Sequence, residues 1–90
     1  MGAVADAIER RLRASLSPSK LELRDDSALH AGHGHGGVES HFDLSIEAPA
    51  FAGLSRVARQ RLVMTALSEE LAGPVHALAI HATAPGEGRG

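Results

Sequence analysis

Only two aromatic side chains, Phe42 and Phe51, are available to fill a core in this chain, which has no tryptophan, tyrosine or cysteine. Its 90 residues lie near the lower limit for one stable core and predict a single domain. The core must therefore be built by close packing of Leu, Ile, Val and Ala. Without cysteine, the chain has no disulfide and no thiolate, and it cannot hold a Cys-ligated cluster by itself.

Two stretches have the spacing of amphipathic helices. The first carries apolar residues at every fourth position, and these are Val4, Ile8, Leu12 and Leu16. It ends at residues 17–19, where Pro18 stops it. The second begins after Ser55, a suitable N-cap, and ends at Gly73. Its buried side is predicted to consist of Val57, Leu62, Val63, Leu67 and Leu71.

Three shorter stretches alternate between apolar and polar residues, as half-buried strands do. They are residues 20–25 with Leu21 and Leu23 inward, residues 41–47 with Phe42, Leu44 and Ile46 inward, and residues 75–83 with His76, Leu78 and Ile80 on one face. One loop between the first two strands favours antiparallel pairing, and a helical crossover before the third permits parallel pairing.

The predicted fold class is α/β in the broad sense, more narrowly α+β, with the order α-β-β-α-β. A three-stranded mixed sheet has both helices on one face. The domain is expected to span residues 1–83, and residues 84–90, which are rich in glycine, are expected to form a flexible tail.

Residues 28–38 are rich in Gly, His and Ala and have no periodicity, which predicts a mobile loop. The loop carries His30, His33 and His35, three of the six histidines in the chain. The net charge of −2 gives no long-range attraction to phosphate backbones. The first residues lack the order of a signal peptide, and no apolar run is long enough to span a membrane. A cytoplasmic location is therefore expected.

Several segments resemble the BolA family in order and spacing. They are LRDDS at 23–27, His30, ESHF at 39–42, FAGLS at 51–55, RQRLV at 59–63 and GPVHALAI at 73–80. The resemblance extends from the first helix to about Thr83, and the family's fold, which is similar to the type II KH-like fold, has the predicted element order. Two departures stand out. Gln60 takes the middle place of an Arg-His-Arg motif that is common in the family. Many relatives also have a further helix or tail after the position that corresponds to Glu87.

The resemblance implies a partner of a monothiol glutaredoxin that shares a [2Fe–2S] cluster with it, for iron–sulfur cluster assembly, transfer or iron sensing. The glutaredoxin would supply its cysteine and a glutathione thiol. This chain would supply His76 and a second ligand from the loop, His30, with His33 and His35 as alternates. Arg59 and Arg61 are the implied partner-binding residues. The free protein would hold no cluster and would be a monomer or weak dimer.

A neutral imidazole is a good iron ligand, so this assignment is chemically sound. For His76 the alternative is a hydrogen-bonded histidine at the edge of the core, beside Leu78 and Ile80. His41 is interpreted as structural and His81 as a solvated strand residue. The three loop histidines have a further interpretation as a Zn²⁺, Ni²⁺ or Cu²⁺ site that needs no partner.

Two other classes of function compete. Some BolA relatives are described as transcription regulators, so binding to DNA is the second hypothesis, but the chain has no Gly-x-x-Gly clamp between helices and no aromatic platform for bases. An enzyme would need a nucleophile such as Ser27 beside Asp25 and Asp26, yet these residues at a strand end are typical of a turn. The chain is therefore predicted not to be an enzyme.

Overall fold

The structure is a computed structural model that describes residues 2–25, 41–73, 75 and 77–87. The elements in chain order are α1 (Ala3–Leu16), β1 (Lys20–Asp25), β2 (His41–Glu47), a 3-10 turn (Pro49–Phe51), α2 (Arg56–Ala66), α3 (Ser68–Ala72) and β3 (Ala77–Thr83). The predicted α-β-β-α-β order is confirmed, except that the second helix is divided in two at Leu67.

The sheet has the order β1-β2-β3, with β2 in the centre. β1 runs antiparallel to β2, from Lys20 opposite Glu47 to Asp25 opposite Phe42. β3 runs parallel to β2, from Ala77 beside His41 to Thr83 beside Glu47. The mixed sheet predicted from the connections is therefore confirmed.

The core lies between the sheet and the helices on one of its faces. β2 alternates strictly, and its inward residues Phe42, Leu44 and Ile46 are buried. The side chains that complete the core are Ile8, Leu12, Ala48, Phe51, Val63, Leu67, Val75 and Ala84. The opposite face of the sheet, which carries Asp43 and the exposed His81, is polar.

The prediction for the buried side of the second helix is wrong at two positions. Val57 is 56% exposed and Leu62 is 37% exposed, whereas Val63 and Leu67 are buried. At about 100° per residue, Val57 and Leu62 each lie roughly a quarter to a third of a turn from Val63 around the helix axis. Apolar residues cover too much of this helix for all of them to face one sheet.

Residues 84–87 extend the packed domain beyond the predicted boundary at Thr83. Ala84 is 3% exposed and belongs to the core. Its amide donates to Glu87 Oε1 over 3.1 Å, which closes a turn. The remainder of the predicted tail, residues 88–90, lies outside the described residues.

In the described part of the chain, none of the helices has the length and apolar character needed to cross a bilayer.

Candidate functional site

The predicted ligands His30 and His76, and the alternates His33 and His35, lie outside the described residues. The structure does describe the residues that flank the segments carrying them. Asp25 ends β1, and His41 begins β2 after segment 26–40. Ala77 begins β3 directly after position 76.

These flanking residues lie at the same end of the sheet. Asp25 is opposite Phe42, and His41 is beside Ala77. Neighbouring strands are about 4.8 Å apart, so Asp25 and Ala77 are separated by about two strand spacings, roughly 10 Å. The topology thus brings the two ends of segment 26–40 close to the start of β3.

The chain immediately before position 76 is anchored in the core. Val75 is 5% exposed, and its amide donates to the carbonyl oxygen of Glu70 over 3.0 Å. The side chain of Glu70 in turn accepts a hydrogen bond from Arg11 Nε over 2.6 Å. Residues on both sides of position 76 are therefore held, one by the core and one by the sheet.

Arg11 joins α1 to α3 beneath this anchor. Its guanidinium binds the carboxylates of both Glu69 and Glu70, and only Glu70 is buried. The hydrogen bond to Glu70 raises the pKa of Arg11, which keeps its charge. The ion pair thus fixes α3, and with it the start of the segment that leads to β3.

The two described histidines lie on the polar face of the sheet. His41 is half-buried at the start of β2. His81 is 62% exposed, with Nε2 3.7 Å from Asp43 Oδ1, which confirms its prediction as a solvated strand residue. Within residues 2–25, 41–73, 75 and 77–87, no three His, Asp or Glu side chains lie close enough together to hold a metal ion.

Arg59, predicted to contact a partner, makes several contacts within the chain. Its Nε donates to the Leu54 carbonyl over 3.0 Å, and its Nη1 donates to the Ala82 carbonyl over 3.2 Å. Both Nη atoms also bind the carboxylate of Glu87. This pairing is the main reason that the pKa of Glu87 is lowered to about 2. Arg59 therefore joins α2 to the end of β3, a role the local sequence did not indicate because Glu87 is 28 residues away.

Arg61, the other predicted contact residue, lies on a different side of α2 and is exposed. It lines a groove of about 510 Å³ between the end of α1 and α2. The groove is otherwise mostly apolar, with Leu16, Leu54, Ala58, Leu62 and Ala66 in its lining. Of the two arginines, Arg61 is the one whose side chain faces solvent.

Comparison with known proteins shows which family the chain belongs to. Residues 12–87 match the family model described as BolA-like protein. The "BolA-like protein 1" of Mus musculus is 50% identical over 88 residues, which cover 98% of this chain and 63% of that protein. The chain thus spans less than two thirds of that relative's length.

Two further likenesses agree. The "DNA-binding transcriptional regulator BolA" of Vibrio cholerae is 42% identical over 78 residues, covering 87% of this chain and 72% of that protein. The solved structure of the BolA domain of SufE1 from Arabidopsis thaliana is similar with a TM-score of 0.86 and 41% identity, over 97% of this chain and 98% of that one.

Proposed function

Since the chain belongs to the BolA-like family, we propose that it shares a [2Fe–2S] cluster with a monothiol glutaredoxin, for iron–sulfur cluster assembly, transfer or iron sensing. The cluster is cargo held between two proteins. In this proposal His76 and His30 provide imidazole nitrogens, and the glutaredoxin provides its cysteine and a glutathione thiol. The chain acts by binding and carries out no catalysis of its own.

The observation that supports this proposal is the sheet topology. Segment 26–40 leaves and rejoins the sheet at the end where β3 begins. His30 is five residues beyond Asp25, so the chain between them can span at most about 17 Å. That reach exceeds the roughly 10 Å between the start of the segment and Ala77. A loop ligand and His76 can therefore serve one cluster.

The donor chemistry agrees with a shared site. The chain has six histidines and no cysteine, so it has no thiolates with which to complete a cluster alone. Histidine binds iron as the neutral imidazole, and protonation competes with the metal. We therefore expect the complex to loosen as the pH falls through the ordinary range of histidine, around pH 6.5.

The test is to mix the protein anaerobically with cluster-loaded monothiol glutaredoxin and record visible absorption and circular dichroism. The wild type should change the glutaredoxin spectrum. His76→Ala should abolish the change, His30→Ala should weaken or shift it, and replacement of all three loop histidines should remove it.

Two histidines provide matched controls. His41 begins β2 beside Ala77, the first residue of β3, and His81 lies four residues along β3 from Ala77. His41→Ala and His81→Ala should leave the spectrum of the mixture unchanged. An unaltered glutaredoxin spectrum at saturating wild-type protein would disprove the proposal. Loss of the cluster in either control, with His76→Ala intact, would disprove the ligand assignment.

A second candidate function is binding to DNA in transcriptional regulation. It is supported by the name of the relative from Vibrio cholerae. The exposed cations Arg56 and Arg61 are set on different sides of α2, and the chain has a net charge of −2. These charges favour the cluster proposal over this one.

A further inference from the structure

Among the described strands, β3 lies at an edge of the sheet, with β2 on its inner side. In a strand, the backbone groups of successive residues point to opposite sides. The amide of Ala48 donates to the Thr83 carbonyl over 3.0 Å, so the backbone groups of Thr83 point toward β2. The backbone groups of Ala77, Ala79 and His81 also point toward β2. The amides and carbonyls of Leu78, Ile80 and Ala82 therefore point outward, away from β2.

Arg59 occupies one end of this outer side. Its Nη1 donates to the carbonyl of Ala82 over 3.2 Å, which agrees with the outward direction of that residue. Among the described residues, no hydrogen bond reaches the outward amides and carbonyls of Leu78 and Ile80. A groove of about 450 Å³ runs beside α2 and the second half of β3, from Ile80 to Thr83.

The two edges of the sheet differ in their protection against pairing. Native proteins discourage edge-to-edge pairing with charged residues or proline on the edge strand. β1 carries Lys20, Glu22 and Arg24 on its polar side. β3 has the sequence ALAIHAT, without acidic, lysine, arginine or proline residues. The residues of β3 itself therefore include none of these charges or prolines that discourage a second strand from adding to the edge.

We propose that two copies of this chain pair through β3, antiparallel about a two-fold axis at Ala79, to form a continuous six-stranded sheet. In this register Leu78 of each copy is opposite Ile80 of the other. The outward amides and carbonyls of Leu78 and Ile80 in one copy then form four hydrogen bonds with those of Ile80 and Leu78 in the other. Ala79 of one copy lies opposite Ala79 of the other in a pair that exchanges no hydrogen bonds, where the two Cα atoms are closest. The small side chain of alanine allows this approach. Ala82 and Arg59 stay outside the pairing.

An independent feature of α2 supports a second copy as the occupant. Val57 and Met64 are 56% and 49% exposed. They lie two turns apart on one stripe of the helix. Gln60 lies between them on this stripe and lines the groove beside β3. A two-fold axis perpendicular to the sheet places both α2 helices on one face of the joined sheet. Val57 and Met64 of one copy then face Val57 and Met64 of the other.

The pairing is closed and small. Pairing of β3 with β1 of another copy would leave free edges and build open chains, whereas the two-fold pairing uses the same edge twice and stops. A short strand pair with one helix contact lies at the small end of protein interfaces, so the dimer is concentration-dependent. This inference does not rest on the proposed cluster function.

Backbone amide exchange measured by NMR at several protein concentrations, together with sedimentation velocity, tests the proposal on the unmodified protein. Between about 10 µM and 1 mM the average mass should rise from monomer to dimer. The amides of Leu78 and Ile80 should become protected in step with the mass. The amides of Ala79 and His81 point toward β2 and should be protected throughout. The amide of Ala82, which lies outside the pairing, should not respond to concentration.

A pair of matched variants tests the register. Ala79→Lys sets two like charges against each other at the axis and should weaken dimerisation by about tenfold or more. Ala14→Lys adds the same charge at an exposed position of α1 and should dimerise like the wild type.

Three outcomes with the unmodified protein would overturn the proposal. They are a constant monomer mass up to about 1 mM, protection of Leu78 and Ile80 that does not depend on concentration, and assemblies larger than a dimer. Equal dimerisation of Ala79→Lys and the wild type would also overturn it.

Discussion

At the scale of single residues, Glu87 and Arg59 show how a surface carboxylate can hold an element in place. Glu87 accepts from the Ala84 amide and pairs with Arg59, which also binds the carbonyls of Leu54 and Ala82. One guanidinium thereby connects the start of α2, the end of β3 and the turn that follows.

This contact predicts a pH dependence of stability. Pairing with Arg59 lowers the pKa of Glu87 from 4.5 to about 2. A lowered pKa in the folded state stabilises the protein fully above the unfolded value, and this contribution is lost as the pH falls from about 4.5 to about 2. Glu87→Gln should therefore lower the melting temperature at neutral pH. The difference from wild type should shrink through that window in thermal melts followed by circular dichroism.

The control for this prediction is Glu9→Gln, which removes the same charge. In the part of the chain that the structure describes, Glu9 pairs with Arg13, at 3.7 Å and one helical turn away on an exposed face. Such pairs stabilise by about 0.5 kcal/mol or less, so this variant should melt close to wild type. Equal effects of the two substitutions at neutral pH would contradict the role assigned to Glu87.

At the scale of elements, α2 begins where its sequence predicts. Ser55 has extended backbone angles, and its Oγ accepts from the Ala58 amide over 3.1 Å. Ser55→Ala removes this cap and should lower the free energy of unfolding by about 1 kcal/mol, measured by urea denaturation. Ser68→Ala is the matched control because α3 has no side-chain cap, and it should change stability by less than about 0.5 kcal/mol. A loss no greater in Ser55→Ala than in Ser68→Ala would argue against the cap.

At the scale of the whole molecule, charge decides the competition between the two candidate functions. A net charge of −2 and few clustered cations allow few phosphates to be neutralised. We expect weak binding to duplex DNA that disappears between about 50 and 200 mM salt, measured by fluorescence anisotropy. The same titration on a duplex of scrambled sequence is the control. Sequence-specific binding that persists at physiological salt would favour the regulator over the cluster partner.

The sequence by itself determined the element order, the mixed sheet and the inward face of β2. Each of these depends on residues two to four positions apart or on the length of a connection. Phe42, Leu44 and Ile46 alternate with polar residues along β2, and their burial follows from that alternation. The proposed ligands His30 and His76 also come from the sequence alone, through the family resemblance.

Tertiary structure decided which side of α2 faces the sheet, where the helix divides, and what Arg59 binds. No Pro or Gly occurs between Arg56 and Ala72, so the break at the buried Leu67 has no local signal. Val57 is as apolar as Val63, and only packing against the sheet distinguishes them. Glu87 reaches Arg59 across 28 residues, a contact that forms only once α2 and β3 are side by side. Local periodicity specifies elements, whereas contacts between distant residues depend on how those elements pack.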